Sequence, residues 1–145
     1  MIRAEALRPA LIATHPSTAS TPDMNDNDYR TAWTSGGSQT GSEMISATLG
    51  EPRAVTGVEM ALGPHHGAFA RALAVDVSQD GQVWKRVATA NGSIVAFEAA
   101  MRDARVVPVT IRFDAERASH VRISQTGQSR AHWAVAELRV LANNK

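Results

Sequence analysis

The sequence predicts an all-β domain, an antiparallel sandwich or barrel with at most one short helix. Three observations carry this. Apolar stretches of roughly five to eight residues recur between turn residues along most of the chain, about seven or eight in all, as in sandwiches and barrels. Asp80-Gly81 separates an alternating segment from the apolar residues that follow, a strong hairpin signal. No strand–helix–strand alternation is present, which removes the parallel, doubly wound folds.

Each element can be justified in turn. Residues 44–49 alternate and are expected to end at Gly50 and Pro52; residues 55–62 follow and end at Gly63-Pro64. Leu73, Val75 and Val77 alternate with Ala74, Asp76 and Ser78, and the segment from Trp84 to Val87 is their hairpin partner. Residues 93–104 place Ile94, Phe97 and Met101 at helical spacing, the one short helix. Val109, Ile111 and Phe113 alternate again, as do Val121 and Ile123, and residues 135–141 close the chain. In that last segment Trp133 and Val135 share one parity while Leu138 and Val140 share the other. Burying both pairs requires a register break near Ala136 and Glu137, as at a β-bulge, and bulges re-aim side chains. Residues 16–39 are a long polar stretch rich in Ser, Thr, Asp, Asn and Gly. Loops of that length in a compact domain usually have a function.

Composition narrows the function classes. At 145 residues the chain is one domain, and 43% hydrophobic with 20% charged residues is globular make-up. A net charge of +1 gives no electrostatic footprint for nucleic acid or an anionic membrane. There is no cysteine, so disulfide scaffolds and zinc ribbons are excluded. Residues 1–13 are interrupted by Arg3, Glu5, Arg8 and Pro9, unlike a signal peptide, which leads us to expect a domain of a larger protein. No Gly-x-Ser-x-Gly elbow, His-Glu-x-x-His helix or convincing carboxylate pair points to catalysis, so a non-enzyme is expected.

Two clusters carry chemistry. The first is Asp23 to Trp33, dense in hard oxygen donors: Asp23, Asp26, Asp28 and Thr31. Ca²⁺ takes six to eight such oxygens. The spacing is not that of an EF-hand, since the sixth position from Asp26 is Thr31 and the twelfth is Gly37. The other reading of these residues is a capped polar turn leading into a strand, and such turns are commoner than calcium sites. The second cluster is residues 63–71, with His65, His66, Phe69 and Arg71, joined by Arg130 and His132 of residues 126–132. A sugar offers apolar C–H faces to stack and hydroxyls to bond, and these are matching groups. Two adjacent histidines without a third spaced ligand make a weak metal site.

Several stretches together resemble the coagulation factor 5/8 type C, or discoidin, domain, and in particular the bacterial family 32 carbohydrate-binding modules. They are Asp26-Asn27-Asp28-Tyr29-Arg30-Thr31-Ala32-Trp33, Leu49-Gly50-Glu51-Pro52 with Val55 to Val58, and Val75 to Trp84 with its Ser78-Gln79-Asp80-Gly81 turn. They continue with Ile111 to Phe113, Ala118 to Ile123 and Trp133 to Val140, in family order. The resemblance implies an eight-stranded antiparallel jelly-roll sandwich over residues 22–145, with residues 1–21 an N-terminal extension leading into it. It implies a structural Ca²⁺ held by the side chains of Asp26, Asp28, Thr31 and Glu137 and by carbonyls of Asp23, Thr31 and Ala136. The usual glycine after the first aspartate is Asn27 here, a residue that tolerates a left-handed backbone.

The resemblance also places a shallow sugar site among loops at one end of the sandwich, for which His65, His66, Phe69, Arg71, Arg130 and His132 are the candidates. Trp33, Trp84 and Trp133 match family positions that are mainly core. With three Trp, three Phe and one Tyr in the chain, little is left for stacking. The expected function is a non-catalytic carbohydrate-binding module of a larger secreted bacterial protein, extracellular or periplasmic, whose partner is a glycan or small sugar. A protein-interaction or structural accessory domain, whose partner is another protein domain, is the alternative. Membrane binding is not expected, because the loop tips offer at most one large apolar side chain.

Overall fold

A computed structural model describes residues 4–144. Among these residues nine strands, one α-helix and one 3-10 turn form the fold, built around two strands of 18 residues, β4 (Met44–Ala61) and β7 (Pro108–Gln125). These two pair antiparallel along their lengths. The remaining strands are β1 (Ala4–Leu7), β2 (Leu11–His15), β3 (Trp33–Thr34), β5 (Ala72–Ser78), β6 (Lys85–Asn91), β8 (Ala134–Val135) and β9 (Glu137–Asn143). The main sheet runs β1-β9-β4-β7-β5-β6, with β2 also on β4; β3 and β8 make a small second sheet. The result is an antiparallel jelly-roll sandwich.

Gly50 and Pro52 do not end a strand. The chain passes through them in a bulge, with Thr48 opposite His120 and Arg53 opposite Ala118, and a second irregularity follows at Val55 and Gly57. Bulges bend a strand and increase its twist, which lets one long strand serve both halves. Residues 44–48 pair with β2 and the C-terminal end of β7, and residues 57–61 with β9 and the N-terminal end of β7. Gly57 has no room for a side chain: a Cβ would lie 2.6 Å from the Ile111 carbonyl oxygen.

The N-terminal residues expected as an extension are part of the sheet. β1 pairs with β9 and β2 with β4, so residues 4–7 and 11–15 are strands of the main sheet. The register break predicted at Ala136 is present as a change of sheet. β8 pairs with β3 and β9 with β4, and Trp133, Val135, Leu138 and Val140 are all buried.

Helix α1 (Gly92–Arg102) forms where expected, capped by the Asn91 side chain accepting from the Ile94 amide at 3.2 Å. Its orientation is the surprise. Gly92, Ala96 and Ala99 face the core, while Ile94, Phe97 and Met101 are 57%, 67% and 73% exposed. The cause is proximity: a Cβ on Gly92 would stand 1.6 Å from the Ala70 carbonyl oxygen. Only small residues allow the helix to lie that close to the backbone. Trp33 and Trp133 meet edge to face at 5.2 Å in the core. Trp84, expected in the core, is only half-buried, with the Arg122 guanidinium 4.3 Å above its ring.

Candidate functional site

At one end of the sandwich three loops are tied together by one buried side chain, Gln39. Its Nε2 donates to the carbonyls of Phe69 (2.9 Å) and His132 (3.4 Å), and its Oε1 accepts from the Arg71 amide (3.0 Å). Its backbone also pairs with Ser129 and Ala131. Residues 63–71 and 126–132, far apart in sequence, are thereby held side by side. Gln125, fully buried, repeats the device one layer down: Oε1 accepts from the Gly127 and Ala72 amides at 2.7 and 3.2 Å, and Nε2 donates to the Gly127 carbonyl and to Glu43.

Glu43 anchors this network. Its carboxylate, 4% exposed, accepts from the Thr40 amide and hydroxyl (each 2.9 Å), the Gly41 amide (3.2 Å) and Gln125 Nε2 (3.0 Å). Burial pushes the Glu43 carboxyl up, but these donors outweigh it and bring it down to about 2 from 4.5. A carboxylate stabilised in the folded state contributes stability that is complete above its unfolded value. The contribution is lost as pH falls from 4.5 through about 2. At ~1.4 kcal/mol per pH unit this is on the order of 3 kcal/mol at neutral pH. Urea unfolding midpoints of Glu43→Gln are therefore expected to lie well below wild type at pH 7 and to converge on it toward pH 2. A constant gap across that window would contradict the assignment.

On this frame Arg71 is held as an oriented fork. Its guanidinium carbon lies 3.7 Å from the Phe69 ring centroid, Nε donates to Ser129 Oγ at 3.2 Å and Nη2 to the Gly67 carbonyl at 3.3 Å. Nη1 is buried without a hydrogen-bond partner, as is Nε2 of His65. Arg130 and His132 are exposed on the adjoining loop, and their carbonyls accept from Ser38 Oγ and Gln39. His66 is not brought to Arg71: it is exposed and lines a separate surface groove with Tyr29, Arg30, Asp103 and Arg105.

The acidic segment forms a second centre. Asn27 takes the left-handed conformation, φ +59°, turning the chain so that the Asp28 amide is shared between Asp26 Oδ1 (3.0 Å) and Glu137 Oε1 (3.1 Å). Thr31 Oγ1 donates to Asp26 Oδ2 and lies 3.1 Å from the Asp28 carbonyl oxygen. The Asp26 and Glu137 carboxyl groups are within hydrogen-bonding reach of each other. Burial, then Asp26, pushes the Glu137 carboxyl up, against the pull of Arg139. Glu137 Oε2 is buried with no hydrogen-bond partner, although Arg139 Nη1 lies 2.8 Å from it.

Asp26, Thr31 and Glu137 are thus gathered. The Asp28 carboxylate instead faces Arg30, which donates to it from Nε at 3.1 Å. Asp23 belongs to a 3-10 turn, Thr21–Asn25, and Ala136 is buried with its amide on the Ala61 carbonyl at 2.7 Å. Among the described residues no three His, Cys, Asp or Glu side chains are placed to hold a metal. The donor set is two carboxylates and a hydroxyl, oxygen throughout, with Glu137 Oε2 buried beside Arg139. That chemistry fits a hard cation such as Ca²⁺ and excludes a soft-metal site.

The fold defines a class: an antiparallel β-sandwich with long polar loops. The chain belongs to the F5/8 type C domain family, whose model matches residues 13–138. No curated protein matches the sequence. Among solved structures, the chain is similar to the family 32 carbohydrate-binding module of Clostridium perfringens NanJ in complex with galactose. That likeness has TM-score 0.73 at 18% identity, covering 96% of this chain and 99% of that one. It is also similar to the CBM32 of AlyQ in complex with 4,5-unsaturated mannuronic acid (TM-score 0.71, 16% identity, 94% and 97% coverage). In a truncated AlyQ with CBM32 and alginate lyase domains, the whole chain matches at TM-score 0.75 and 15% identity but spans 35% of that protein's length.

Proposed function

We propose that this domain is a non-catalytic carbohydrate-binding module, a targeting part of a larger secreted bacterial protein, working outside the cytosol. The observation that carries the reading is the Gln39-tied loop end. There, Arg71 is stacked on Phe69, pinned by Ser129 and flanked by the exposed Arg130 and His132. Charged donors such as these make strong hydrogen bonds to a sugar's oxygens, and the half-buried Phe69 adds an apolar contact for its C–H faces. The solved structures of similar fold include modules complexed with sugars, which supports the reading.

The oxygen cluster plays a structural part in this proposal. Asp26, Thr31 and Glu137, with nearby backbone carbonyls, would hold one Ca²⁺. Bound there, the ion supplies positive charge between two carboxylates that otherwise repel. Its effect is to fasten the loop of residues 26–31 to the start of β9. Titration against galactose, N-acetyl sugars, fucose and uronates is expected to give at least one ligand. Arg71→Ala should weaken that ligand at least tenfold, the ~1.5–3 kcal/mol of a hydrogen bond to a charged group. Silence across the panel would end the carbohydrate reading.

A further inference from the structure

The loops that Gln39 draws together are one-sided in charge. Residues 35–42, 63–71 and 126–132 contain Arg71 and Arg130 and not one aspartate or glutamate. The chain as a whole is nearly neutral at +1, so this is a local concentration of positive groups. The nearest acid in sequence, Glu43, does not offset it at the surface. Its carboxylate is buried and taken up by the Thr40, Gly41 and Gln125 donors. Both arginines lack a carboxylate partner among the described residues: Arg71 rests on a hydroxyl and a carbonyl, and Arg130 forms no ion pair. Elsewhere Arg30, Arg53, Arg86, Arg122 and Arg139 are each paired to an acid, whereas Arg8 and Arg102, like Arg71, bond neutral groups.

A neutral sugar has no need of this. Two guanidiniums without a carboxylate partner at this loop end, with Arg130 exposed, suit a negatively charged acceptor. Arginine bonds such groups bidentately, and such charge-assisted bonds are roughly twice as strong as neutral ones. We infer that the loop end selects acidic sugars, meaning glycans whose units carry a carboxylate or a sulfate ester, over their neutral counterparts. This rests on the carbohydrate reading above and sharpens it.

The test uses the full chain in calorimetric titrations with four probes: a short oligogalacturonate, its methyl ester, a sulfated galactan oligosaccharide and neutral galactose. The ester keeps the ring and removes the charge. At low salt the acid or the sulfated probe is expected to bind at least about tenfold more tightly than its neutral counterpart. The gap should narrow as ionic strength rises from about 0.02 M to about 0.2 M. Which anionic probe wins distinguishes carboxylate from sulfate. Arg130→Gln, an exposed position that cannot disturb the core, should weaken the winning anionic probe severalfold and its neutral counterpart by less than about twofold. Equal affinity for acid and ester, with sulfated and neutral galactan also equal, would overturn selection by charge and leave the carbohydrate reading intact. No binding of any probe would overturn both.

Discussion

Gly92→Ala is expected to cost more than about 3 kcal/mol, or to prevent folding altogether, although it exchanges glycine for a better helix former. In an exposed helix that exchange would gain nearly 1 kcal/mol. Here a methyl group would stand 1.6 Å from the Ala70 carbonyl oxygen, 2.6 Å from its carbon and 2.8 Å from the Arg71 carbonyl carbon. All three are backbone atoms and none can swing aside. The Gly92 amide also donates to the Arg71 carbonyl at 2.9 Å, so a displaced helix would lose this bond or drag the start of β5 with it. Overpacking typically costs ~1–3 kcal/mol where side chains can yield, and a rigid obstacle puts this case at or above that range. Thermal unfolding followed by circular dichroism should show a fall of roughly 8 °C or more. Phe97→Ser, one turn along, removes a large apolar side chain that is 67% exposed and is expected to change stability by less than about 0.5 kcal/mol. If Phe97→Ser proved the more damaging, the orientation of α1 would be wrong.

That inverted helix shows where sequence reading succeeds and where it stops. Periodicity reports that one face is apolar, and it located α1 to within a few residues. It cannot report which face the packing distance admits, because the deciding atom is the carbonyl of Ala70, on another segment. The same holds for Gly50 and Pro52: their local turn chemistry is real, but pairing of β4 with β7 on both sides converts it into a bulge. Parity fared better. A strand's alternation is fixed by backbone geometry, so the clash between Val135 and Leu138 had to be resolved by a break, and the chain changes sheets at Ala136.

The candidate site divides along the same line. Asp26 and Thr31 were legible because a carboxylate and a hydroxyl in a short loop carry their chemistry in their identity, whereas Glu137, at the start of β9, joined them only through the resemblance to a family. Gln39, Glu43 and Gln125 were not legible. An isolated polar residue has no periodic signature, and only burial with its hydrogen bonds satisfied reveals its role. These three now account for why the loop end holds its shape without regular structure.

The proposed cation should have the largest ligand-dependent effect on stability. Asp26 and Glu137 converge on one amide, and Glu137 Oε2 is buried with only the Arg139 guanidinium beside it. Two carboxylates so placed repel, and the Arg139 guanidinium at 2.8 Å offsets only part of that. A ligand that binds the folded state alone stabilises it by about 4 kcal/mol at a thousandfold excess over its dissociation constant. Millimolar CaCl₂ is therefore expected to raise the melting temperature by roughly 8–16 °C relative to protein in chelator. Glu137→Gln should abolish most of that rise. Its sign in chelator is opposite: neutralising one of the repelling pair removes a cost, so the variant should then melt no lower than wild type. A wild-type protein indifferent to both calcium and chelator would exclude the structural ion. If Glu137→Gln lowered the melting temperature equally with and without calcium, the residue would serve packing through its bond to the Asp28 amide. The crossing of these two responses separates a ligand of the ion from a strut, since a strut is missed whether or not the ion is present.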